Sequence, residues 1–172
     1  MKICICSSEI RAKNEIVAEK INNYYSNQEY QDKVLVVGVL NGAFIFMADL
    51  IRLLNFSLET DFVRISSYGN ACVSSGHIQF LKDVETSVKG RRILIVEDVI
   101  ETGQSLAFLR NYFLSSGAKE VKTVVFFNKK VPRTIDVPID FAAWETKEFR
   151  FLVGYGLDYQ GGKRELPDLW EM

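Results

Sequence analysis

The chain has 172 residues, of which 48% are hydrophobic and 25% are charged. This length is enough for one domain with a stable core, and the composition excludes a disordered chain. The formal net charge of -1 and a pI of about 5.9 argue against a surface built for nucleic acid or membranes. No apolar stretch is long enough for a signal peptide or a membrane span, so we expect a cytoplasmic protein.

Apolar runs rich in β-branched residues predict buried strands at 33–40, 91–99, 121–128 and 149–157. A weaker fifth run covers 60–68. The first three runs show little alternation between apolar and polar residues. This pattern is typical of strands that are covered on both faces, as in a parallel sheet.

Helical spacing of apolar residues predicts three helices between these runs. The first lies near the N-terminus, the second covers 43–54, and the third covers 106–114 with Gly117 as its C-terminal stop. Strands and helices that alternate in this order predict an α/β fold with an open, mostly parallel sheet flanked by helices.

Two segments match neither pattern. The small and polar residues at about 68–80 predict a mobile loop over a site. The turn-rich stretch at about 150–172 predicts a small cap rather than a second domain. We therefore interpret residues 1–172 as a single domain.

The stretch ILIVEDVIETGQS, residues 93–105, predicts a ligand site. Ligands bind beyond the carboxyl ends of strands in an open parallel sheet, which is where Glu97 and Asp98 fall. Residues 101–105 form the turn into the next helix, whose N–H groups and dipole favour a phosphate. A ligand with both a phosphate and a diol, such as a 5-phosphoribosyl group, explains why carboxylates stand beside a phosphate turn. The alternative is a strand that ends in solvated acids, followed by a capping turn.

The same stretch resembles the phosphoribosyl-pyrophosphate motif of type I phosphoribosyltransferases. Further segments, in the same order and spacing, resemble hypoxanthine-guanine phosphoribosyltransferases over roughly residues 8 to 170: VVGVLNGAFIFMADLIR, SSY, NKKVPR and FLVGYGLDY. The resemblance implies a type I fold with a small cap from the termini. It also implies Mg²⁺ as cofactor, phosphoribosyl pyrophosphate and a 6-oxopurine as ligands, and a homo-oligomer of two or four copies.

The resemblance also implies roles for individual residues. The phosphoribosyl group would be bound by Glu97, Asp98, Thr102, Gly103, Gln104 and Ser105. Pyrophosphate would be bound by Leu40, Asn41 and Gly42, with a cis peptide after the leucine, and by Ser67, Tyr68 and Arg164. The purine would be bound by Lys129 at its C6 oxygen, by a stacked Phe151 and by the backbone of Leu152. The metal ligand would be Asp158, with Glu97 and Asp98 as further carboxylates.

Two positions depart from the pattern of the family. The family places an aspartate where a general base manages the proton near purine N7, and this chain has Glu101. The extra C–C bond adds about 1.5 Å of reach, so we expect activity to survive with a slower rate or an altered purine preference. Asn41 stands where many relatives carry Lys or Arg, so we expect weaker binding of pyrophosphate or phosphoribosyl pyrophosphate.

Three alternative functions stay open at this stage. The first is a sibling enzyme that acts on xanthine or a pyrimidine. The second is a regulator that senses phosphoribosyl pyrophosphate or nucleotides while binding RNA or DNA, but 21 basic against 22 acidic residues give it little support. The third is a plain nucleotide-binding module, which leaves Asp158 and Lys129 without a purpose.

Overall fold

A computed structural model describes residues 2–26, 32–68, 77–147 and 151–172. In chain order its elements are β1 Lys2–Ile5, α1 Ser7–Ser26, β2 Val34–Val39, α2 Phe44–Ile51, β3 Leu58–Tyr68, β4 His77–Lys82, β5 Arg92–Ile100, α3 Gln104–Ser115, β6 Glu120–Lys129, β7 Phe141–Thr146, β8 Leu152–Val153 and β9 Leu169–Glu171. Among the residues so described, none of the helices has the length and apolar character needed to cross a membrane.

The main sheet has six strands in the order β4-β3-β2-β5-β6-β7. Strands β2, β3, β5, β6 and β7 are parallel, and β4 pairs antiparallel with β3 at one edge. This confirms the predicted mostly parallel sheet. All residues of β2 are buried, as expected for a central strand that is covered on both faces.

The helices lie on both faces of the sheet and form two hydrophobic cores. Val34 and Val36 of β2 face the core that contains α1 and α2, whereas Leu35 and Val37 face the core that contains α3. Successive residues of a strand point to opposite faces, so one apolar strand supplies both cores. The three layers hold the carboxyl ends of the parallel strands at one edge.

The helices differ slightly from their predicted bounds. α2 is shorter than 43–54 because it ends in a tight turn, where Leu53 N donates to Leu50 O at 2.9 Å. α3 is longer than 106–114 and includes the second half of the proposed phosphate turn. Gly117 follows α3 with a φ of 87°, which confirms its role as a left-handed stop.

The strand predicted at 149–157 is wrong for most of its described part, because within residues 151–157 only Leu152–Val153 is a strand. Gly154, Tyr155 and Gly156 have φ values of 101°, 47° and 96°, so the backbone turns instead of extending. β1, β7 and β9 contain no long apolar run, and the sequence pattern therefore does not predict them.

Both ends of the chain contribute to a second, three-stranded antiparallel sheet with the order β1-β9-β8. This sheet is the predicted cap from the termini. The loop predicted at about 68–80 is shorter than expected, because residues 77–80 belong to β4. Tyr68 at the end of β3 pairs with His77 at the start of β4. Residues 69–76 lie outside the described part of the chain.

Candidate functional site

The candidate site lies where the parallel strands end. The loop after β2 contains the cis peptide between Leu40 and Asn41 that the resemblance implies. β5 brings Glu97 and Asp98 to the same edge, and β6 ends at Lys129. Adjacent parallel strands end side by side, and the topology therefore places these three segments together.

Two cavities meet at this edge. The first, of about 460 Å³, is lined by Cys4, Ile5, Asp98, Val99, Glu101, Phe127, Lys129, Trp144, Thr146, Phe151, Leu152, Leu157 and Asp158. The second, of about 380 Å³, is lined by Val39, Ile65, Glu97, Asp98, Val99, Ile100, Glu101, Thr102, Gly103, Ser105 and Leu106. We call them the base cavity and the ribose cavity, after the ligands that the resemblance implies for the residues that line them. Asp98, Val99 and Glu101 line both, and they form a shared wall.

The turn at the ribose cavity leads directly into α3. Gly103 has a φ of 79°, and a Cβ there would lie 2.4 Å from Ile135 O, so this position requires glycine. Thr102 and Ser105 line the cavity with Gly103, while Gln104 begins α3 and is not among the lining residues. The turn therefore presents two hydroxyls and the amino end of a 12-residue helix to the cavity.

Glu97 and Asp98 form an acidic pair against the loop that follows β2. A Cβ on Gly42 would lie 1.6 Å from Asp98 Oδ2, so the carboxylate lies directly against this glycine. Burial and the charge of Asp98 raise the pKa of Glu97 well above its ordinary value. Within the described ranges, Asp98 Oδ1 accepts a bond from Val99 N at 2.7 Å, and neither carboxylate has a Lys or Arg partner.

Lys129 and Glu101 form an ion pair across the base cavity, through Lys129 Nζ and Glu101 Oε1. The lysine side chain is 14% exposed, whereas the glutamate side chain is 55% exposed. Arg133 supports the lysine by donating to Lys129 O at 3.2 Å and to Asn128 Oδ1. The proposed general base and the proposed C6-oxygen donor thus contact each other directly.

The cap supplies the opposite wall of the base cavity. Phe151 and Leu152 both line it, but Phe151 is 57% exposed. The Phe151 ring meets Tyr159 edge-on, with the centroids 6.1 Å apart. The predicted aromatic side chain is therefore at the cavity mouth rather than in the core.

Asp158 and Arg164 are bound to each other. Arg164 Nη2 donates to Asp158 Oδ1 at 2.6 Å, and Gly161 N donates to Asp158 Oδ2 at 2.9 Å. In the part of the chain that the structure describes, no three carboxylate, histidine or cysteine side chains come close enough to hold a metal ion. Asp158, Glu97 and Asp98 therefore do not form one preformed metal centre.

Two expected site residues have side chains outside the described part of the chain, and three residues at the site were not predicted from the sequence. Ser67 and Tyr68 end β3, but their side chains lie outside what the structure describes. Trp144 and Thr146 of β7 and Cys4 of β1 line the base cavity without any sequence signal. The pairing of β1 and β7 with other strands brings these residues to the cavity, so they can be identified from the fold but not from the sequence pattern.

Comparison with known proteins gives a consistent result. A family model for the phosphoribosyl transferase domain matches residues 8–160. The hypoxanthine-guanine phosphoribosyltransferase of Bacillus subtilis is 43% identical over 167 residues, covering 96% of this chain and 89% of the relative. The enzyme of the same name from Aquifex aeolicus is 36% identical over 170 residues, covering 99% and 93%.

Solved structures show the same similarity. A structure of Trypanosoma cruzi hypoxanthine phosphoribosyl transferase superimposes with a TM-score of 0.92 at 33% identity, covering all of this chain and 91% of the other. A mutant of the enzyme from the same organism, complexed with the product IMP, gives a TM-score of 0.90 at 33% identity, covering 100% and 90%.

Proposed function

The chain belongs to the hypoxanthine-guanine phosphoribosyltransferases, and we propose that it transfers the 5-phosphoribosyl group from phosphoribosyl pyrophosphate to hypoxanthine, guanine or both. The products are IMP or GMP and pyrophosphate, as in purine salvage. The observation that carries this proposal is the shared wall, because it joins a cavity for a ribose phosphate to a cavity for a base.

In the ribose cavity, Glu97 and Asp98 accept hydrogen bonds from the 2′- and 3′-hydroxyls. The 5′-phosphate binds at the 102–105 turn, where backbone N–H groups and the helix dipole favour an anion. The acidic pair has no cation of its own among the described residues, and this suits a ligand that brings hydrogen-bond donors. Asn41 and Gly42 face the pyrophosphate, together with Ser67 and Tyr68.

In the base cavity, the purine binds beside the Lys129–Glu101 ion pair and contacts both of its partners. Lys129 donates to the C6 oxygen, Phe151 covers the ring, and Leu152 meets its edge. A C–N bond forms between purine N9 and ribose C1 while the bond from C1 to the pyrophosphate oxygen breaks, and pyrophosphate leaves with the electron pair. Glu101 takes the proton near N7 as general base.

The residues present fit Mg²⁺, which normally takes one or two protein carboxylates together with substrate phosphates. Asp158 and Asp98 both line the base cavity and offer oxygen ligands only. When bound, the ion neutralises the negative charge that develops on the leaving pyrophosphate. Arg164, which holds Asp158, adds a second positive charge on the same side. A homo-oligomer and a cytoplasmic location stay predictions.

The direct test is pyrophosphate release with Mg²⁺ and phosphoribosyl pyrophosphate, measured separately with hypoxanthine, guanine, xanthine and adenine. We expect turnover with hypoxanthine or guanine and none with adenine, whose C6 amino group cannot accept a bond from Lys129. Turnover with xanthine alone would identify the sibling enzyme. Binding of phosphoribosyl pyrophosphate without turnover of any base would favour the regulator instead.

A matched pair of variants tests the assignment of the base cavity. Lys129→Ala removes a charged donor, and we expect the KM for hypoxanthine to rise by about 10- to 100-fold. Lys130→Ala is the control, because this neighbouring lysine pairs with Glu145 at 2.9 Å and does not line the base cavity. Equal effects of the two substitutions would contradict the proposed C6-oxygen contact.

A further inference from the structure

Tyr155 lies in the turn between β8 and Asp158, with only 6% of its surface exposed. Its hydroxyl accepts a hydrogen bond from Asn14 Nδ2 at 2.6 Å and donates one to Asp49 Oδ2 at 2.8 Å. Asn14 belongs to α1 and Asp49 to α2, so one hydroxyl joins three separate segments of the chain. The ring packs against Phe126 with the centroids 5.1 Å apart.

The turn that contains Tyr155 touches the loop that follows β2. A Cβ on Gly156 would lie 2.2 Å from Gly42 O, so the two main chains are in direct contact. α2, which contains Asp49, begins at Phe44, directly after this loop. The Tyr155 hydroxyl is therefore linked to both main chains that meet here. It belongs to the turn, and it binds Asp49 in the helix that follows the loop.

The hydrogen-bonded network is not fully satisfied, which argues that packing alone does not explain it. Asn14 Oδ1 is buried and has no hydrogen-bond partner within the described ranges. Leaving a buried polar atom unpaired destabilises a fold, and apolar side chains of similar size would pack without that penalty. What the polar contacts add is a fixed distance and direction between α1, α2 and the turn.

We propose that Tyr155 is a positioning residue for the pyrophosphate side of the site, an inference that rests on the proposed function. Its two hydrogen bonds hold the turn that leads to Asp158 in register with the loop at Gly42. A misplacement of about 1 Å in a group that positions substrate can lower a rate by about 100-fold. Lys129, which donates to the C6 oxygen of the purine, is held by β6, and its position does not depend on this hydroxyl.

The test is Tyr155→Phe, which keeps the ring packing and removes the hydroxyl. We expect the KM for phosphoribosyl pyrophosphate to rise by about tenfold, with the KM for hypoxanthine changed by less than about twofold. Calorimetric binding of pyrophosphate with Mg²⁺ and no purine should weaken by a similar factor.

Tyr24→Phe is the matched control. Tyr24 also donates from its hydroxyl to a carboxylate, Glu120 Oε2 at 2.6 Å, but Glu120 begins β6 at the end of the sheet away from the site. Its substitution should lower thermal stability without changing either KM. Should Tyr155→Phe fail to fold, Asn14→Leu removes one of the two hydrogen bonds and should raise the KM for phosphoribosyl pyrophosphate in the same direction by about threefold.

The proposal is supported if Tyr155→Phe or Asn14→Leu raises the KM for phosphoribosyl pyrophosphate and leaves the KM for hypoxanthine nearly unchanged. Equal changes in both KM values, or a lower melting temperature with both KM values unchanged, would overturn it and leave Tyr155 with a structural role. The failure of the proposed function itself would be distinct, because the unsubstituted protein would then show no turnover with any purine.

Discussion

Two acidic sites lie on different strands of the main sheet, Asp61 on β3 and the pair Glu97 and Asp98 on β5, and their surroundings are opposite. Asp61 of β3 is surrounded by donors, with backbone N–H groups of Phe62, Glu85 and Thr86 at 2.7–3.0 Å and Lys82 Nζ at 3.4 Å. Although burial alone would raise its pKa, these donors hold the pKa of Asp61 below its ordinary value. This carboxylate is compensated by the protein itself.

The acidic pair on β5 is not compensated. Burial and the neighbouring charge raise the pKa of Glu97, and no cation pairs with Glu97 or Asp98 among the residues described. From this difference we infer that Asp61 supports the fold, whereas Glu97 and Asp98 are available to a ligand. Binding sites often retain such locally unfavourable arrangements, because the ligand supplies the missing partners.

The largest expected effect concerns Glu101, the third acid at the site, which is paired with Lys129. Glu101→Gln removes the proposed general base, and kcat should fall by at least about 100-fold in a steady-state assay. Glu101→Asp is the control, since it keeps a carboxylate of the length that the family uses and should retain most of the activity. Near-normal kcat in Glu101→Gln would remove this residue from the mechanism.

The next effect tests the uncompensated pair. Glu97→Gln should lower kcat/KM for phosphoribosyl pyrophosphate by about 10- to 100-fold, because a charged acceptor for the ribose diol is lost. At neutral pH it should also raise the melting temperature by about 3 °C, the effect of about 1 kcal/mol in a chain of this size, because burial disfavours the ionised form of Glu97 and glutamine does not ionise. A loss of both activity and stability would mean that Glu97 is structural.

The compensated acid should behave in the reverse way. Asp61→Asn leaves buried donors without their charged acceptor, so the free energy of unfolding should fall by about 2 kcal/mol in urea titrations, while activity at low temperature changes little. Glu59→Gln on the same strand is the control, because its partially exposed pairs with Arg91 and Lys33 are screened by solvent and should contribute much less to stability. Equal destabilisation by the two substitutions would contradict the comparison.

The two acids also predict opposite pH dependences of stability. The lowered pKa of Asp61 means that its contribution is present above the ordinary value of 3.8 and is lost as the pH falls through the folded value. The raised pKa of Glu97 means that its contribution is present below 4.5 and is lost as the pH rises through the folded value. Unfolding curves of Asp61→Asn and Glu97→Gln should therefore converge on the unsubstituted protein in acid, from opposite sides.

The smallest expected effect concerns a positive charge introduced beside Glu97 and Asp98. Asn41→Lys places a positive charge on the loop beside the acidic pair, as Lys82 does for Asp61. We expect the KM for phosphoribosyl pyrophosphate to fall by about three- to fivefold, the scale of an exposed ion pair. An unchanged or higher KM would show that the backbone of the loop is sufficient without the charge.

The sequence predicted the centre of the sheet because β2, β5 and β6 are apolar runs that are buried on both faces. It did not predict β7 or the terminal strands, since Trp144 and its neighbours become strand residues through pairing with β6 rather than through their own composition. The strand predicted at 149–157 failed because two glycines of that run adopt left-handed backbone.

The site was predictable where a short segment contains it. Glu97 to Ser105 follows one strand into one helix, so local pattern and resemblance were sufficient. The Lys129–Glu101 ion pair joins the residue that follows β5 to the last residue of β6, and the hydrogen bonds of Tyr155 join segments more than 100 residues apart. Contacts of this kind depend on the tertiary arrangement, which no local pattern contains.

The shared wall of the two cavities affects how the product leaves. Under the proposed function, a nucleoside monophosphate would occupy the base cavity and the ribose cavity as one covalent molecule. It would lose its translational freedom once, whereas a free base and a free sugar phosphate lose it twice. Once the base is bound, the ribose phosphate is held at a high effective concentration beside its own cavity, and the reverse is also true. We therefore expect the nucleotide product to compete tightly for the site, and its slow dissociation to limit turnover.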